Sequence, residues 1–221
     1  MDRNAFLARL PRRTDLVRPD IPPGPGPAPS DLVAELSARL TAGGCGVWRA
    51  AGPAAALALA LEIARSAGAR AIGHHDLGPE LMPHLPAAAS AAGLRLVMAG
   101  DGPPGLAQAI EPLAAGLTRP ELAVAEVGAL VHLARPGGGR LASLLPPMHI
   151  ALVAEADVLP DLDALAAALA DPARLPAGLP PALTLIAGPS KTGDIEAVMV
   201  KGVHGPGRVE VVIWTENPLP R

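Results

Sequence analysis

Residues 183–194, Leu-Thr-Leu-Ile-Ala-Gly-Pro-Ser-Lys-Thr-Gly-Asp, carry the strongest structural and chemical signal in the chain. The apolar run Leu183–Ala187 is typical of a buried strand, and Gly188 and Pro189 end it. We expect a helix over 192–201, so that a strand runs into a helix through a polar loop. A helix N-terminus offers free backbone N–H groups and the positive end of a dipole, so this junction predicts an anionic ligand.

The same loop also has a purely structural interpretation. Thr192 could be the N-cap of the helix, with Asp194 complementing the dipole from the first turn. The hydroxyls and the ammonium of Ser190-Lys191-Thr192 favour a ligand loop, whereas a P-loop is excluded because Asp194 stands where that motif needs lysine. Both interpretations stay open. The predicted ligand-binding residues of this loop are Gly188, Ser190, Lys191, Thr192 and Asp194.

Strand-like and helical patterns alternate outward from this segment. Predicted strands lie at 45–50, 69–74, 94–99, 182–187 and 208–214, with a bent strand or strand pair over 142–153 and two apolar arms around residues 126–128. Predicted helices lie at 31–42, 53–67, 78–85, 104–115 and 161–170. Repeated strand–helix units with apolar strands predict an α/β fold of three layers with a mainly parallel sheet. Such sheets bind ligands beyond the carboxyl ends of their strands, which makes Gly100–Pro104 a second candidate loop.

The domain organisation follows from proline content. Residues 19–29 hold prolines at almost every second position, which is typical of an extended linker without a core. We therefore expect an N-terminal arm and linker over 1–30 and one domain over 31–221.

Composition excludes several functional classes. The formal net charge of −3, one Phe, two Trp and no Tyr give neither a basic surface nor stacking platforms for nucleic acid. A single cysteine, Cys45, excludes an internal disulfide and any four-cysteine cluster. No segment matches a dinucleotide fingerprint, so no cofactor is expected. The stretch richest in Ala and Leu, between Arg49 and Glu62, is only about half a membrane span and Pro53 breaks it, so we expect a cytoplasmic protein without membrane contact.

Three further side chains are candidates for the chemistry. Glu126 lies at a tight turn between apolar arms, where it could act as a general base or form a structural hydrogen bond. His204 lies in a glycine-rich loop that gives an imidazole little structural purpose, so we predict it and Glu126 as catalytic. His149 is predicted to bind ligand, against the alternative of a hydrogen-bonded core histidine. No metal site is expected from Glu126, His149 and His204, because they lack a short ligand spacing.

Five ordered segments of the second half match a known pattern: Gly116-Leu-Thr118, Ala125–Leu130, Leu145–Ile150, Gly188–Ile195 and Gly202–Pro206. Together they resemble the LUD domain family of lactate-utilisation proteins, and within it the short, cluster-free LutC-like type. The resemblance extends over about 116–214. It implies a fold like that of the sugar isomerases and CoA transferases, the NagB/RpiA/CoA transferase-like fold.

The resemblance also implies a function. It suggests a component of a system that oxidises L-lactate to pyruvate, with the iron–sulfur clusters on separate partner proteins and a small anionic metabolite or a partner bound at the 188–206 loops. Two alternatives stay open. One is a stand-alone enzyme on a small anionic substrate such as a CoA ester or sugar phosphate, and the other is a regulatory module that binds a 2-hydroxy acid.

Overall fold

The computed structural model describes residues 30–98, 113–134, 140–176, 178–195, 198–202 and 204–215, with the backbone alone for 192–195 and 198–201. Five helices and twelve strands lie in these ranges. The helices are α1 (Leu32–Gly43), α2 (Pro53–Ser66), α3 (Leu85–Ala92), α4 (Leu141–Leu144) and α5 (Leu162–Ala170). The strands are β1 (Gly46–Ala51), β2 (Ala71–His74), β3 (Arg95–Met98), β4 (Ala115–Thr118), β5 (Leu122–Val124), β6 (Ala129–Leu133), β7 (Met148–Ala154), β8 (Val158–Leu159), β9 (Leu183–Ile186), β10 (Lys191–Ile195), β11 (Val198–Lys201) and β12 (Arg208–Thr215).

Six strands form one entirely parallel sheet in the order β1-β12-β7-β4-β2-β3. Its central strands β12, β7 and β4 are almost wholly buried, as expected for a parallel sheet covered on both faces. All six strands run the same way, so the sheet has an amino edge, where the strands begin, and a carboxyl edge, where they end.

Side chains of β7 and β12 alternate between two cores. Met148, Ile150 and Leu152 face one side, where they pack with α2 and α3. Ala151 and Val153 face the other side, where they pack with α1 and with a second sheet. This smaller sheet has the order β8-β5-β6-β9, and α5 covers its outer face.

Local chemistry explains where the main helices begin and end. Asp31 accepts a hydrogen bond from the Ala34 N–H at 2.9 Å and so starts α1, and Gly44 ends it in the left-handed region at φ 97°. Asp161 caps α5 in the same way through the Ala164 N–H at 2.7 Å. Pro53 occupies the first position of α2, where its missing N–H costs nothing.

The predicted α/β fold with a mainly parallel sheet is confirmed. The outer layer on one face, however, combines a helix with the four-stranded sheet. Two local predictions are wrong. The helix expected at 78–85 begins only at Leu85, because Pro86 fits a first helical turn and does not break the alanine-rich run that follows. The strand expected from 142 is the short helix α4, with β7 starting at Met148 after two prolines.

The helix predicted over 192–201 is also wrong. Residues 191–195 and 198–201 form an antiparallel hairpin, with Lys191 opposite Lys201 and Thr192 opposite Val200. β-Branched residues at 192, 195, 198 and 200 favour extended backbone over helix, which explains the hairpin. The loop that precedes β10 therefore has no helix N-terminus to bind an anion.

Several predictions lie outside the described residues: the arm and linker up to residue 29, the Gly100–Pro104 loop, and the predicted helix 104–115 up to residue 112. The last residues of that helix are described and are not helical, since β4 begins at Ala115. In the described ranges, no helix combines the length and the apolar character that crossing a membrane requires.

Candidate functional site

A cavity of about 310 Å³ opens at the amino edge of the parallel sheet, between β9 and the loops that precede β7 and β12. Five of the eight predicted site residues line this amino-edge cavity. They are His149, Gly188, Ser190, Lys191 and His204. Ser143 and Thr184 add hydroxyl groups, and the apolar part of the lining includes Leu144, Ile186, Ala187, Pro206 and Val209.

Backbone hydrogen bonds join the two glycine-rich motifs at this cavity. The Ser190 N–H donates to the Pro206 carbonyl at 2.8 Å, and the Gly202 N–H donates to the Ser190 carbonyl at 3.1 Å. The Ser190 hydroxyl also accepts a long hydrogen bond, 3.4 Å, from the His204 N–H. Ser190 therefore fixes the relative position of the loops that carry Lys191 and His204.

Lys191 has a structural partner as well as a place in the cavity. Its ammonium donates to the Gly43 carbonyl at 2.8 Å, at the negative end of the α1 dipole. Gly188 packs against the same turn, since a Cβ on it would lie 2.8 Å from the Gly43 oxygen. The motif thus anchors α1 to β9 and β10, and the exposed lysine remains at the cavity wall.

His149 lies on β7 at the inner end of the cavity and is fully buried. Its Nε2 is 2.7 Å from the Thr118 hydroxyl of β4, and the His132 Nε2 of β6 is 3.3 Å from the same hydroxyl. Among the described residues, its Nδ1 has no hydrogen-bond partner. Burial, with a smaller contribution from His75, lowers the pKa of His149 to about 3, so the ring is neutral at physiological pH.

His132 and His75 extend this cluster toward the carboxyl edge. The ring centroids of His132 and His149 are 5.8 Å apart, and those of His75 and His132 are 6.2 Å apart. Burial lowers the pKa of His75 to about 4 and places the pKa of His132 well below its usual value. The His75 Nε2 accepts the Arg119 N–H at 3.1 Å. A line of neutral imidazoles therefore runs between the two sheets.

Glu126 is not among the residues that line this cavity. It lies at the β5–β6 turn, and its carboxylate accepts the Leu162 N–H at 3.3 Å, at the start of α5. That contact agrees with the structural alternative for this carboxylate. Thr192 and Asp194 lie on β10, downstream of the cavity wall.

The carboxyl edge has polar groups of a different kind. Arg119, directly after β4, pairs with Glu80 at 2.6 Å and with Asp157 at 3.2 Å, and its guanidinium lies 5.7 Å from the Trp214 ring centroid. Cavities of about 380 and 390 Å³ both touch Arg119. Sequence reasoning missed this residue and Thr118. The segment Gly116-Leu-Thr118 could have indicated it. This segment is a strand, so Arg119 is the first residue after a strand, which is where parallel sheets usually bind ligands.

No three His, Cys, Asp or Glu side chains within the described ranges are arranged to hold a metal ion. Cys45 is buried, and burial raises the pKa of its thiol to about 11, so it stays protonated and inert.

Comparison with known proteins identifies the family. Residues 33–214 match the LUD domain family model. Lactate utilization protein C of an Exiguobacterium species is 39% identical over 98 residues, 44% of this chain and 43% of that protein. Its namesake from a Geobacillus species is 32% identical over 102 residues, 46% of this chain and 42% of that protein. The chain thus spans less than half the length of these curated relatives.

A solved structure gives the fold independently. The crystal structure of a DUF162 family protein from Deinococcus radiodurans superposes with a TM-score of 0.58, at 24% identity, over 83% of this chain and 96% of that one. The family model covers most of the chain, including the whole parallel sheet except the last residue of β12. The chain is a member of the LUD domain family.

Proposed function

We propose that this protein is a component of a lactate-utilisation system and binds a small carboxylate in the amino-edge cavity through the 188–206 loops. The observation that carries the proposal is the convergence of three separate sequence segments, around His149, Ser190 and His204, on one cavity. Packing alone would explain contacts between neighbouring residues, but it would not explain a cavity that three segments share. A shared cavity with a cation and hydroxyls in its wall is instead typical of a small-molecule site.

The cavity chemistry suits a small organic acid. Its volume is at the lower end of ligand pockets, which favours a molecule of a few carbon atoms. Lys191 provides the positive charge, and the apolar residues Ile186 and Val209 would cover the carbon chain. Lactate and pyruvate have this combination of one carboxylate and one methyl group.

Electron transfer would fall to partner proteins. The single cysteine cannot form a cluster with other cysteines of this chain, and its thiol is buried and protonated. We therefore infer that iron–sulfur partners take the electrons of lactate oxidation. The names of the relatives support the pathway, and the partners belong to the proposal.

A tagged pull-down from lactate-grown cells tests the assembly. We expect iron–sulfur proteins in the eluate together with lactate-dependent dye reduction. A chain that purifies alone and turns over a CoA ester or sugar phosphate would replace this proposal with the stand-alone enzyme.

Calorimetry on the purified chain tests the ligand. L-Lactate or pyruvate should bind saturably, and Lys191→Ala should weaken binding about two- to fivefold, because an exposed cation contributes modestly. Arg95→Ala is the matched control, since Arg95 is an exposed cation on edge strand β3 at the far side of the sheet. Equal loss in both variants would contradict binding in the amino-edge cavity, which Arg95 does not line.

A further inference from the structure

The second ring nitrogen of His149 is an unexplained buried polar atom beside the amino-edge cavity. The side chain has no exposed surface, its Nε2 contacts Thr118, and its Nδ1 has no partner in the part of the chain that the structure describes. Buried nitrogens without a partner are rare in folded proteins, because a buried donor or acceptor that loses its bonds to water and gains none in the protein is destabilising. A ligand that supplies the missing partner would recover that cost.

The two contacts of the Thr118 hydroxyl indicate which ring nitrogen of His149 carries the proton. A hydroxyl has one proton and two lone pairs, so it can donate to at most one of the two histidines and accepts from the other, and the lengths of the two contacts indicate which one receives the proton. The 2.7 Å contact with the His149 Nε2 has the length of a bond with a hydroxyl donor, and the 3.3 Å contact with the His132 Nε2 is longer, as for a ring N–H donor. Thr118 then donates to His149, which leaves the proton of that ring on Nδ1.

We propose that Thr118 holds His149 in the Nδ1–H form and that this N–H donates a hydrogen bond to an oxygen of the acid bound in the amino-edge cavity. The inference rests on the proposed function, because it names a donor within the same site. Thr118 and His132 act as positioning residues, since they touch His149 and do not line the cavity.

This donor defines the chemistry of the ligand. A neutral N–H needs an oxygen acceptor, which a carboxylate or a 2-oxo group supplies. His132 and His75 lie next to His149 and are also neutral, so they add no charge that would attract a dianion. Of the described residues in the wall, Lys191 is the one lysine or arginine, and one positive charge matches a monocarboxylate such as pyruvate or L-lactate.

Long-range ¹⁵N–¹H correlation NMR on the full chain tests the tautomer directly. It distinguishes Nδ1–H from Nε2–H in each neutral ring, with or without ligand. We expect His149 in the Nδ1–H form and a shift of its Nδ1 resonance when pyruvate is added to saturation. An Nε2–H pattern, or an Nδ1 resonance that pyruvate leaves unchanged, would overturn the inference.

Thr118→Val tests the positioning step. It keeps the shape of the side chain but removes the hydroxyl, so His149 should populate both tautomers and pyruvate should bind roughly three- to tenfold more weakly. Thr41→Val is the matched control, because Thr41 is exposed on α1 and does not line the cavity. It should retain the Nδ1–H pattern and most of the affinity.

The combination of results separates this inference from the proposed function. If pyruvate or L-lactate binds wild type and Thr118→Val equally well, the donor assignment is wrong and the acid site stands. If neither acid binds wild type, the proposed ligand class is wrong and the assignment of a ligand to His149 falls with it.

Discussion

The two edges of the parallel sheet differ in how their charged side chains are paired. At the carboxyl edge, Arg119 is already neutralised by Glu80 and Asp157. At the amino edge, Lys191 in the cavity wall donates to a backbone carbonyl, and no carboxylate among the described side chains pairs with it. The charge at the carboxyl edge is therefore paired with carboxylates and the cation at the amino edge is not. Each edge also has one buried nitrogen without a hydrogen-bond partner among the described residues, the Arg119 Nε and the His149 Nδ1.

This difference qualifies a general rule about α/β proteins. Ligands of open parallel sheets usually bind beyond the carboxyl ends of the strands. Here the motif residues Ser190, Lys191 and His204 gather beyond the amino ends, because β9 and β10 belong to other sheets than β7 and β12. When a second sheet packs on the face of the main sheet, a loop that follows a strand of the second sheet can therefore lie at either edge of the main sheet.

Acid should affect both edges at once, and this is the largest effect we expect. His149 and His75 have pKa values of about 3 and 4, below the unfolded value of about 6.5. At a pH between the folded and unfolded pKa values, the unfolded chain binds more protons than the folded chain. The free energy of unfolding is therefore highest above about pH 6.5 and falls as the pH decreases. The slope approaches about 1.4 kcal/mol per pH unit for each buried histidine, or roughly 3 kcal/mol or more between pH 6.5 and 5.

Urea unfolding at several pH values measures this loss of stability. His75→Gln should flatten the profile, whereas His84→Gln should not, because His84 is exposed. The chosen window lies above the usual titration range of carboxylates. A free energy of unfolding that is constant from pH 7.5 to 5 would contradict the buried, neutral histidine cluster.

Gly116→Ala should damage the amino edge selectively. Gly116 lies on β4 under α4, and a Cβ there would collide with the Ala142 carbonyl and come within 3.1 Å of the Pro146 ring. The backbone of α4 must move, at a cost of about 2–3 kcal/mol in the free energy of unfolding. Because α4 carries Ser143 and Leu144, the same change should weaken acid binding.

Gly205→Ala is the control for that experiment. Its Cβ would meet the Ser190 Cβ at 3.6 Å, which is an ordinary contact, so stability should change by less than about 0.5 kcal/mol. Chemical denaturation and calorimetry on both variants make the comparison. Equal destabilisation would mean that the close packing of α4 on β4 is not what makes position 116 sensitive.

Local signals in the sequence were enough to predict much of the fold. Asp31 and Asp161 mark helix starts, and the alternating apolar residues of 208–214 indicate a buried strand, because each signal depends on neighbours within a few positions. The hairpin of β10 and β11 was missed because its polar first half resembles a helix cap, whereas strand propensity from 195 onward decided its structure.

The candidate site could be predicted only in part, for a different reason. The motif loops carry Ser190 and Lys191 as unusual polar residues, so they stand out in the sequence. The contact of His149 with Thr118 joins residues 31 positions apart, and it exists only because β4 and β7 are neighbours in the sheet. No single-sequence pattern contains that strand order, so neither Thr118 nor the unpartnered nitrogen was predicted.

The smallest expected effect separates the two edges most sharply. Arg119→Met removes two ion pairs and the contact with Trp214, and we expect a loss of about 1–2 kcal/mol, because the guanidinium is partly exposed and solvent screens its pairs. Binding of pyruvate or L-lactate should stay unchanged, since Arg119 does not line the amino-edge cavity.

Arg65→Met is the control: its pair with Glu62 is exposed on α2, so we expect no measurable loss of stability. Denaturation and calorimetry on the same preparations give both readouts. If Arg119→Met abolished acid binding while Lys191→Ala left it intact, the acid would bind at the carboxyl edge. Arg119 would then be part of the binding site.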